Sequence, residues 1–381
     1  MFGRMPKHKK RKGLFLTGGG ARGAYQAGVL KAISEISLSE KLPFDVVSAM
    51  SAGSINAAFL VARAEHFRQG TQALVEIWNN LTSDQVFKTS TLALIKSGLK
   101  TLFEIVTHIT PKNGQFLLDS SPLLDLINNN IDFDKLNSHL QAGVIHSFDV
   151  ASICYNSGEI VSFYNSKNIK NNRSKFRYRP TLTRIEGHHI YASSAIPLFF
   201  RPVAINEQYF GDGSLRNFHP FRSAIAHESS SLLVIDVKKE SSSASVHLPI
   251  QAEGVSFGRI IDLFFNSAFL DNVDRDLELL NTINGNIQSL PEKDRLKMQF
   301  REIDILCIRP SQDLGALAAE HVKTLPLFLR YMLSAFGSKE QSSDIISYLL
   351  FEGAFCSELV KMGYQDAMVQ QSQIYKFLKQ D

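Results

Sequence analysis

The sequence predicts an α/β fold: a mainly parallel sheet covered by helices, extended at its C-terminus by a largely helical segment. Three observations carry this. Strand, loop and helix alternate twice within the first 65 residues. Residues 232–237 (LLVIDV) read as a buried strand. After a last strand-like run at 303–308 (IDILCI), the pattern from about 315 to 381 is helical. Alternating units point to a parallel sheet, because parallel neighbours need a crossover long enough to hold a helix.

In chain order, residues 13–17 read as a short buried strand. The loop 18–23 (GGGARG) opens a helical pattern that runs to about 36. Residues 44–49 are a second strand-like run, followed by Ser51-Ala52-Gly53 and a helical stretch over 54–64. Residues 70–145 read as mainly helical. Within them Leu92, Ile95, Leu99, Leu102, Phe103 and Val106 recur at helical spacing, with Lys96, Lys100 and Glu104 on other faces, so 91–109 is amphipathic. Residues 144–151, 160–164 and 208–210 are expected strands, and the serines of 241–245 mark a loop.

At 381 residues the chain can bury a large core without staples. Its net charge is +4, but residues 1–12 hold Arg4, Lys7, Lys9, Lys10, Arg11 and Lys12 and no acid, so without them the remainder carries −2. The basic character belongs to this arm, expected to be a solvated, flexible start; such an arm also suits an anionic membrane or nucleic acid. The apolar run after it, Leu14 to Leu16, is too short for a signal-peptide core. No stretch reaches the roughly 18 apolar residues of a spanning helix. Cys154, Cys307 and Cys356 are odd in number and widely spaced, which fits neither a disulfide framework nor a metal site and suits a reducing compartment.

The loop Gly18-Gly19-Gly20-Ala21-Arg22-Gly23 satisfies GxGxxG between a strand and a helix, the setting of a dinucleotide site. Ala24-Tyr25 stand where a Walker loop needs Lys-Ser/Thr. Glycines let backbone N–H groups converge on a ligand, and the following helix adds partial positive charge. Such a cradle holds a pyrophosphate or an acyl-transfer oxyanion equally well, and a bare glycine turn with neither role is the third option.

The second strand separates the two. A dinucleotide fold needs an acidic residue near its end to hold the ribose. Here it ends Val46-Val47-Ser48-Ala49-Met50-Ser51-Ala52-Gly53-Ser54: a strand, a sharp turn of small residues, then a helix, with Ser51 at the apex. This is the arrangement of a G-x-S-x-G nucleophile elbow, except that Ala49 replaces the first glycine. The N–H of Ala52 faces the same point as the loop amides. The plainer alternative makes Ser51 or Ser54 an N-cap. A glycine loop one βα unit upstream favours the nucleophile. Its base is usually a histidine; of eleven, only His188, His189 and His219 lie near other signals. Asp212, between Gly211 and Gly213 after a short strand, is the better candidate, with a plain Asp-Gly turn as its competitor. A carboxylate acting directly on serine must be made more basic by desolvation.

These segments together resemble the patatin-like phospholipase family. The loop 18–23 with Ala24-Tyr25-Gln26-Ala27-Gly28-Val29-Leu30 is similar to its oxyanion loop and first helix, and Met50 to Ser54 to its elbow. The stretch 191–200 (YASSAIPLFF) resembles the block before its last catalytic residue, and Asp212-Gly213-Ser214 with Asn217 and Pro220 its D-G-G/A/S element. The resemblance covers about 13–237. It implies a three-layer α/β/α domain there, with 238–381 as a C-terminal extension like that of bacterial patatin-like proteins. It implies a Ser51–Asp212 dyad and an oxyanion hole from Gly18, Gly19, Gly20 and Ala52, with Arg22 lending positive charge. It also implies hydrolysis of fatty acyl esters with no cofactor and no metal. The substitution at Ala49 bears on rate more than on fold.

A lid, acyl pocket or membrane face could come from 91–109, Phe199-Phe200, or 260–265 with Phe269-Leu270; for 260–270 burial in the core is expected. The resulting expectation is a cytoplasmic lipid acyl hydrolase that visits anionic membranes and binds no nucleic acid. Its alternatives are a non-catalytic lipid-binding relative and a dinucleotide-dependent oxidoreductase.

Overall fold

The computed structural model describes residues 10–90, 116–169, 177–240, 257–269, 271–295, 300–334 and 343–380. The amphipathic segment 91–109 and the serine loop 241–245 lie outside the described residues.

Strand β1 (Arg11–Leu16) leads through a 3-10 turn, Gly20–Arg22, into helix α1 (Gly23–Ser37). Strand β2 (Val46–Met50) leads into α2 (Ala52–Val61), then α3 (Phe67–Asn79). Helices α4 (Ser121–Asn130) and α5 (Phe133–Ala142) precede β3 (Ser147–Cys154), β4 (Ile160–Asn165) and β5 (Tyr178–Leu182). Next come α6 (Gly187–Ser193), β6 (Val203–Ile205), β7 (Gln208–Asp212), α7 (Arg222–Ala226) and β8 (Ser229–Ile235). The extension holds α8 (Phe257–Phe269), α9 (Asp271–Ser289), α10 (Glu292–Arg295), β9 (Asp304–Ile308), α11 (Leu314–His321), α12 (Leu327–Ser334), α13 (Ser343–Leu349), α14 (Gly353–Val369) and α15 (Gln371–Lys379).

The strands form one sheet in the order β5-β4-β3-β2-β1-β8-β9, with β7 paired to β3 and β6 to β7. From β3 to β9 all neighbours are parallel, and β4, β6 and β7 bring the antiparallel pairings. Alternation along the strands sends side chains to two apolar layers. Leu14, Leu16, Val47, Ala49, Leu233 and Ile235 pack on one face, and Phe15, Val46, Met50, Leu232 and Val234 on the other. Both layers are closed by helices, α1 and α2 on the first and α7 and α9 on the second, so the domain is the expected three-layer α/β/α fold.

The extension shares this core. Phe355, Leu359 and Met362 of α14 belong to the same apolar layer as α1. The two helices cross at glycines: a methyl group on Gly28 would lie 1.9 Å from the Val360 carbonyl oxygen, and one on Gly363 2.1 Å from that of Tyr25.

The strands depart from expectation in their bounds, β3 covering Ser147–Cys154 rather than 144–151, and in their number. β1 begins at Arg11 rather than residue 13, because Arg11 pairs with Glu228 at 2.5 Å and the Lys12 N–H donates to Asp45 at 3.1 Å, so the basic arm ends sooner than expected. β5 and β6 give no clear sequence signal. One is a half-exposed edge strand containing Pro180 and the other has three residues, too little for periodicity to register. Among the described residues no helix is long and apolar enough to cross a membrane.

Candidate active site

Strand β3 brings the two candidate catalytic residues together. β2 runs parallel to it and ends with Met50 opposite Ala151. β7 runs antiparallel to it and ends with Asp212 opposite Ser152. The other edge of β3 is occupied there by β4, with Ser152 facing Val161. β7 therefore continues the line of β2, and the two chains meet head-on, Ser51 just past one end and Asp212 at the other.

Ser51 has φ 53° and ψ −136°, a backbone conformation that L-residues avoid. Its neighbours hold it there. The Ser51 N–H donates to Ser193 Oγ at 3.0 Å, and that hydroxyl donates to the Ala151 carbonyl at 2.6 Å. The Ser51 carbonyl accepts from Ser54 Oγ at 2.6 Å and Ser194 Oγ at 3.0 Å. Although Ser51 stands at the N-cap position of α2, its side chain makes no capping hydrogen bond. The tight approach of helix to strand falls on Gly53, where a methyl group would lie 2.5 Å from the Thr17 carbonyl oxygen. Ala49, in place of the elbow's usual glycine, is an ordinary strand residue buried in the apolar layer, so the strain lies at Ser51 and not at the substituted position.

Asp212 is fully buried. Its Oδ1 accepts from the Ser214 N–H at 2.8 Å, while Oδ2 has no well-formed hydrogen bond among the described residues. Burial pushes this carboxyl from 3.8 up to about 6, against the opposing pull of the Ser51 side chain and the Ser214 N–H. A desolvated carboxylate beside a serine hydroxyl, with one oxygen open, is a stronger base than a solvated one.

The glycine loop closes over the same point. A methyl group on Gly18 would lie 2.7 Å from Ser51 Cβ and 2.1 Å from Ser214 Oγ, so only glycine fits beside the serine. Gly20 has φ +57°, and a methyl group there would lie 2.2 Å from the Tyr348 carbonyl oxygen. The N–H groups of Gly18, Gly19, Gly20 and Ala52 donate to no described residue. With α1 and α2 both starting here, four free donors and two helix N-termini border the site. A buried polar chain supports the loop. The Trp78 Nε1–H donates to Asn56 Oδ1 at 2.9 Å, Asn56 Nδ2 donates to Gln26 Oε1 at 3.0 Å, and Gln26 Nε2 donates to the Thr17 carbonyl at 2.8 Å.

An apolar cavity opens from Ser51, Ala52 and Gly20. Its volume is ≈ 50 Å³, that of a tight slot. Ile55 and Phe59 of α2, Trp78 of α3 and Ile127 of α4 wall it, with Phe200 and Phe351. Phe199, one residue from Phe200, is instead packed in the core. Within 260–265, the described side chains of Ile260, Leu263 and Phe264 depart from the expected burial and are exposed on α8, whereas Phe269 is buried and packs against Tyr348 at 5.9 Å.

The remaining expected residues lie apart from the serine. His189 is buried against Phe163, and burial lowers it to about 3; His188 sits 3.3 Å from Glu186 and His219 3.2 Å from Asp276. None of the three lines the cavity. Arg22 is buried, but its guanidinium turns from the serine: Nε donates to Ser347 Oγ at 2.7 Å, and Nη2 pairs with Asp344. Its charge, expected at the oxyanion, is met by a carboxylate of the extension. Sequence reasoning did not assign roles to Ser193, Ser194 or Phe351. The serines lie within 191–200 without a local signal of their own, and Phe351 is 300 residues from Ser51.

A family model described as Patatin-like phospholipase matches residues 14–225, over half of the 381-residue chain. Among solved structures the chain is similar to VipD from Legionella pneumophila, at 11% identity over 96% of this chain and 67% of that one, with a TM-score of 0.34. It is also similar to the type III effector protein ExoU, at 13% identity over 95% of this chain and 53% of that one, with a TM-score of 0.33. The chain thus spans about half the length of the ExoU chain. No curated relative matches the sequence. With the match running from within β1 to within α7, across Ser51 and Asp212 alike, the chain belongs to the patatin-like phospholipase family, a family of lipid hydrolases.

Proposed function

We propose that the protein cleaves carboxylic esters of lipids by a Ser51–Asp212 dyad, through an acyl-enzyme. The observation that carries this is the meeting of a strained serine and a buried, basic carboxyl at the mouth of an apolar slot. The fatty acyl chain lies in the slot and brings its ester carbonyl to Ser51. Asp212 Oδ2 takes the hydroxyl proton as Ser51 Oγ attacks the carbonyl carbon. The oxyanion is received by N–H groups among Gly18, Gly19, Gly20 and Ala52. Collapse expels the alcohol, which takes the proton from Asp212, and leaves the acyl group on Ser51. Water then attacks the acyl carbon with Asp212 again as base, and collapse releases the fatty acid while Asp212 returns the proton to Ser51 Oγ. Cavity walls, donors and base all come from the protein's own chain, and Ser214, Ser51 and Tyr348 fill the space against the loop glycines.

Labelling by a fluorophosphonate tests the reading. The wild type should label, Ser51→Ala should not, and Asp212→Asn should label far more slowly. An unlabelled wild type refutes the hydrolase reading, and labelling that survives Ser51→Ala refutes the site. Full esterase turnover by Asp212→Asn would remove Asp212 as base.

A further inference from the structure

We infer that Asp344 and Ser347 of the C-terminal extension are positioning residues for acyl transfer at Ser51, acting through Arg22 on the glycine loop. The inference rests on the acyl-transfer reading above and extends the working site beyond the family region, residues 14–225.

The loop needs an outside tether. Three consecutive glycines, one at φ +57°, have more backbone freedom than any other tripeptide, so their N–H groups converge only if something holds them. Locally the loop has the Arg22 N–H on the Gly19 carbonyl at 3.1 Å and Gln26 on the Thr17 carbonyl. Its largest side chain, Arg22, ends the 3-10 turn that carries Gly20 and leaves the domain for α13. There Nε meets Ser347, Nη2 meets Asp344, and the guanidinium lies over the Tyr348 ring, 5.2 Å from its centroid. The Tyr348 carbonyl abuts Gly20 itself. A planar guanidinium held along two edges and one face fixes both the distance and the angle of the turn.

Asp344 is held in turn. Its Oδ2 accepts from Asn266 Nδ2 of α8 at 2.5 Å, and a methyl group on Gly315 of α11 would lie 2.7 Å from its Oδ1. Neither Asp344 nor Ser347 lines the cavity at Ser51. Their influence therefore passes through Arg22, and a shift of that turn moves N–H donors whose placement is worth about 100-fold in rate per ångström.

The test uses full-length Asp344→Asn, Ser347→Ala, Arg22→Lys and the Arg22→Leu/Asp344→Leu pair. Three readouts are taken: kcat and KM on p-nitrophenyl butyrate, amide hydrogen exchange over residues 17–23 and 46–50, and thermal unfolding. The expected result is a 10- to 100-fold fall in kcat with KM within about twofold. Exchange over 17–23 rises about tenfold while 46–50 is unchanged, Arg22→Lys resembles Asp344→Asn, and the double variant is no worse than either single change. Unchanged exchange over 17–23 in folded Asp344→Asn and Ser347→Ala overturns the inference, as does a rise shared equally by 46–50. If Asp344→Asn does not fold, Ser347→Ala decides. A wild type without turnover on any ester refutes the hydrolase reading, and the exchange measurement still decides the tether.

Discussion

Replacing Asp212 by asparagine should make the protein more stable. Burial raises the Asp212 carboxyl from 3.8 to about 6, so the folded protein binds that proton more tightly than the unfolded chain. The carboxyl's contribution to stability is then intact below pH 3.8 and is lost as pH rises through 6. About two units at 1.36 kcal/mol each place the cost of holding Asp212 charged at about 3 kcal/mol at pH 8 and roughly half that at pH 5. Asp212→Asn removes the charge but not the shape. Its oxygen still accepts from the Ser214 N–H, and its amide faces the Ser51 hydroxyl. Asp149 and Asp236, also buried and raised to about 6, are common to both proteins, so the difference between variant and wild type isolates residue 212. Urea unfolding at pH 8 should show the variant more stable by up to about 3 kcal/mol, and the gain should shrink by about half at pH 5. A variant no more stable than wild type at pH 8, or a gain independent of pH, would refute the argument. The same pKa makes wild-type kcat/KM fall about tenfold from its plateau by pH 5. A profile flat to pH 5 would mean that burial does not tune this carboxyl.

Two further outcomes follow from the geometry. Ile127→Trp fills the slot at α4, so turnover of long-chain acyl esters should fall at least about tenfold while acetyl esters change little; equal losses on both would mean that the acyl chain lies elsewhere. Deleting residues 1–9 removes Arg4, Lys7 and Lys9 but spares Arg11 and Lys12, which belong to β1. At about 1 kcal/mol per basic residue near an anionic surface, flotation with phosphatidylserine vesicles should weaken by up to about 100-fold, and unchanged flotation would remove the arm from membrane binding.

The family and its fold were legible because their signals are local. A glycine loop after a strand and a serine between small residues each occupy fewer than ten positions, and four such segments in order are specific. Asp212 was harder, since Asp-Gly also makes ordinary turns. What singles it out is its pairing opposite Ser152, one step past the point where β2 stops. Arg22 shows the limit most clearly. Its place beside the loop glycines suggested a charge for the oxyanion, yet its partners, Asp344 and Ser347, lie more than 300 residues away.

The elements and the candidate residues were thus readable from local pattern, because strand and helix periods, turn chemistry and glycine's backbone freedom act over a few neighbours. Which charges meet was set by packing across the folded chain. It buried the Asp212 carboxyl and raised its pKa, sent the Arg22 guanidinium to the extension, and set Phe351 in the wall of the slot. Desolvation and pairing depend on what packs around a group from every direction, and in this chain those surroundings come from segments hundreds of residues apart.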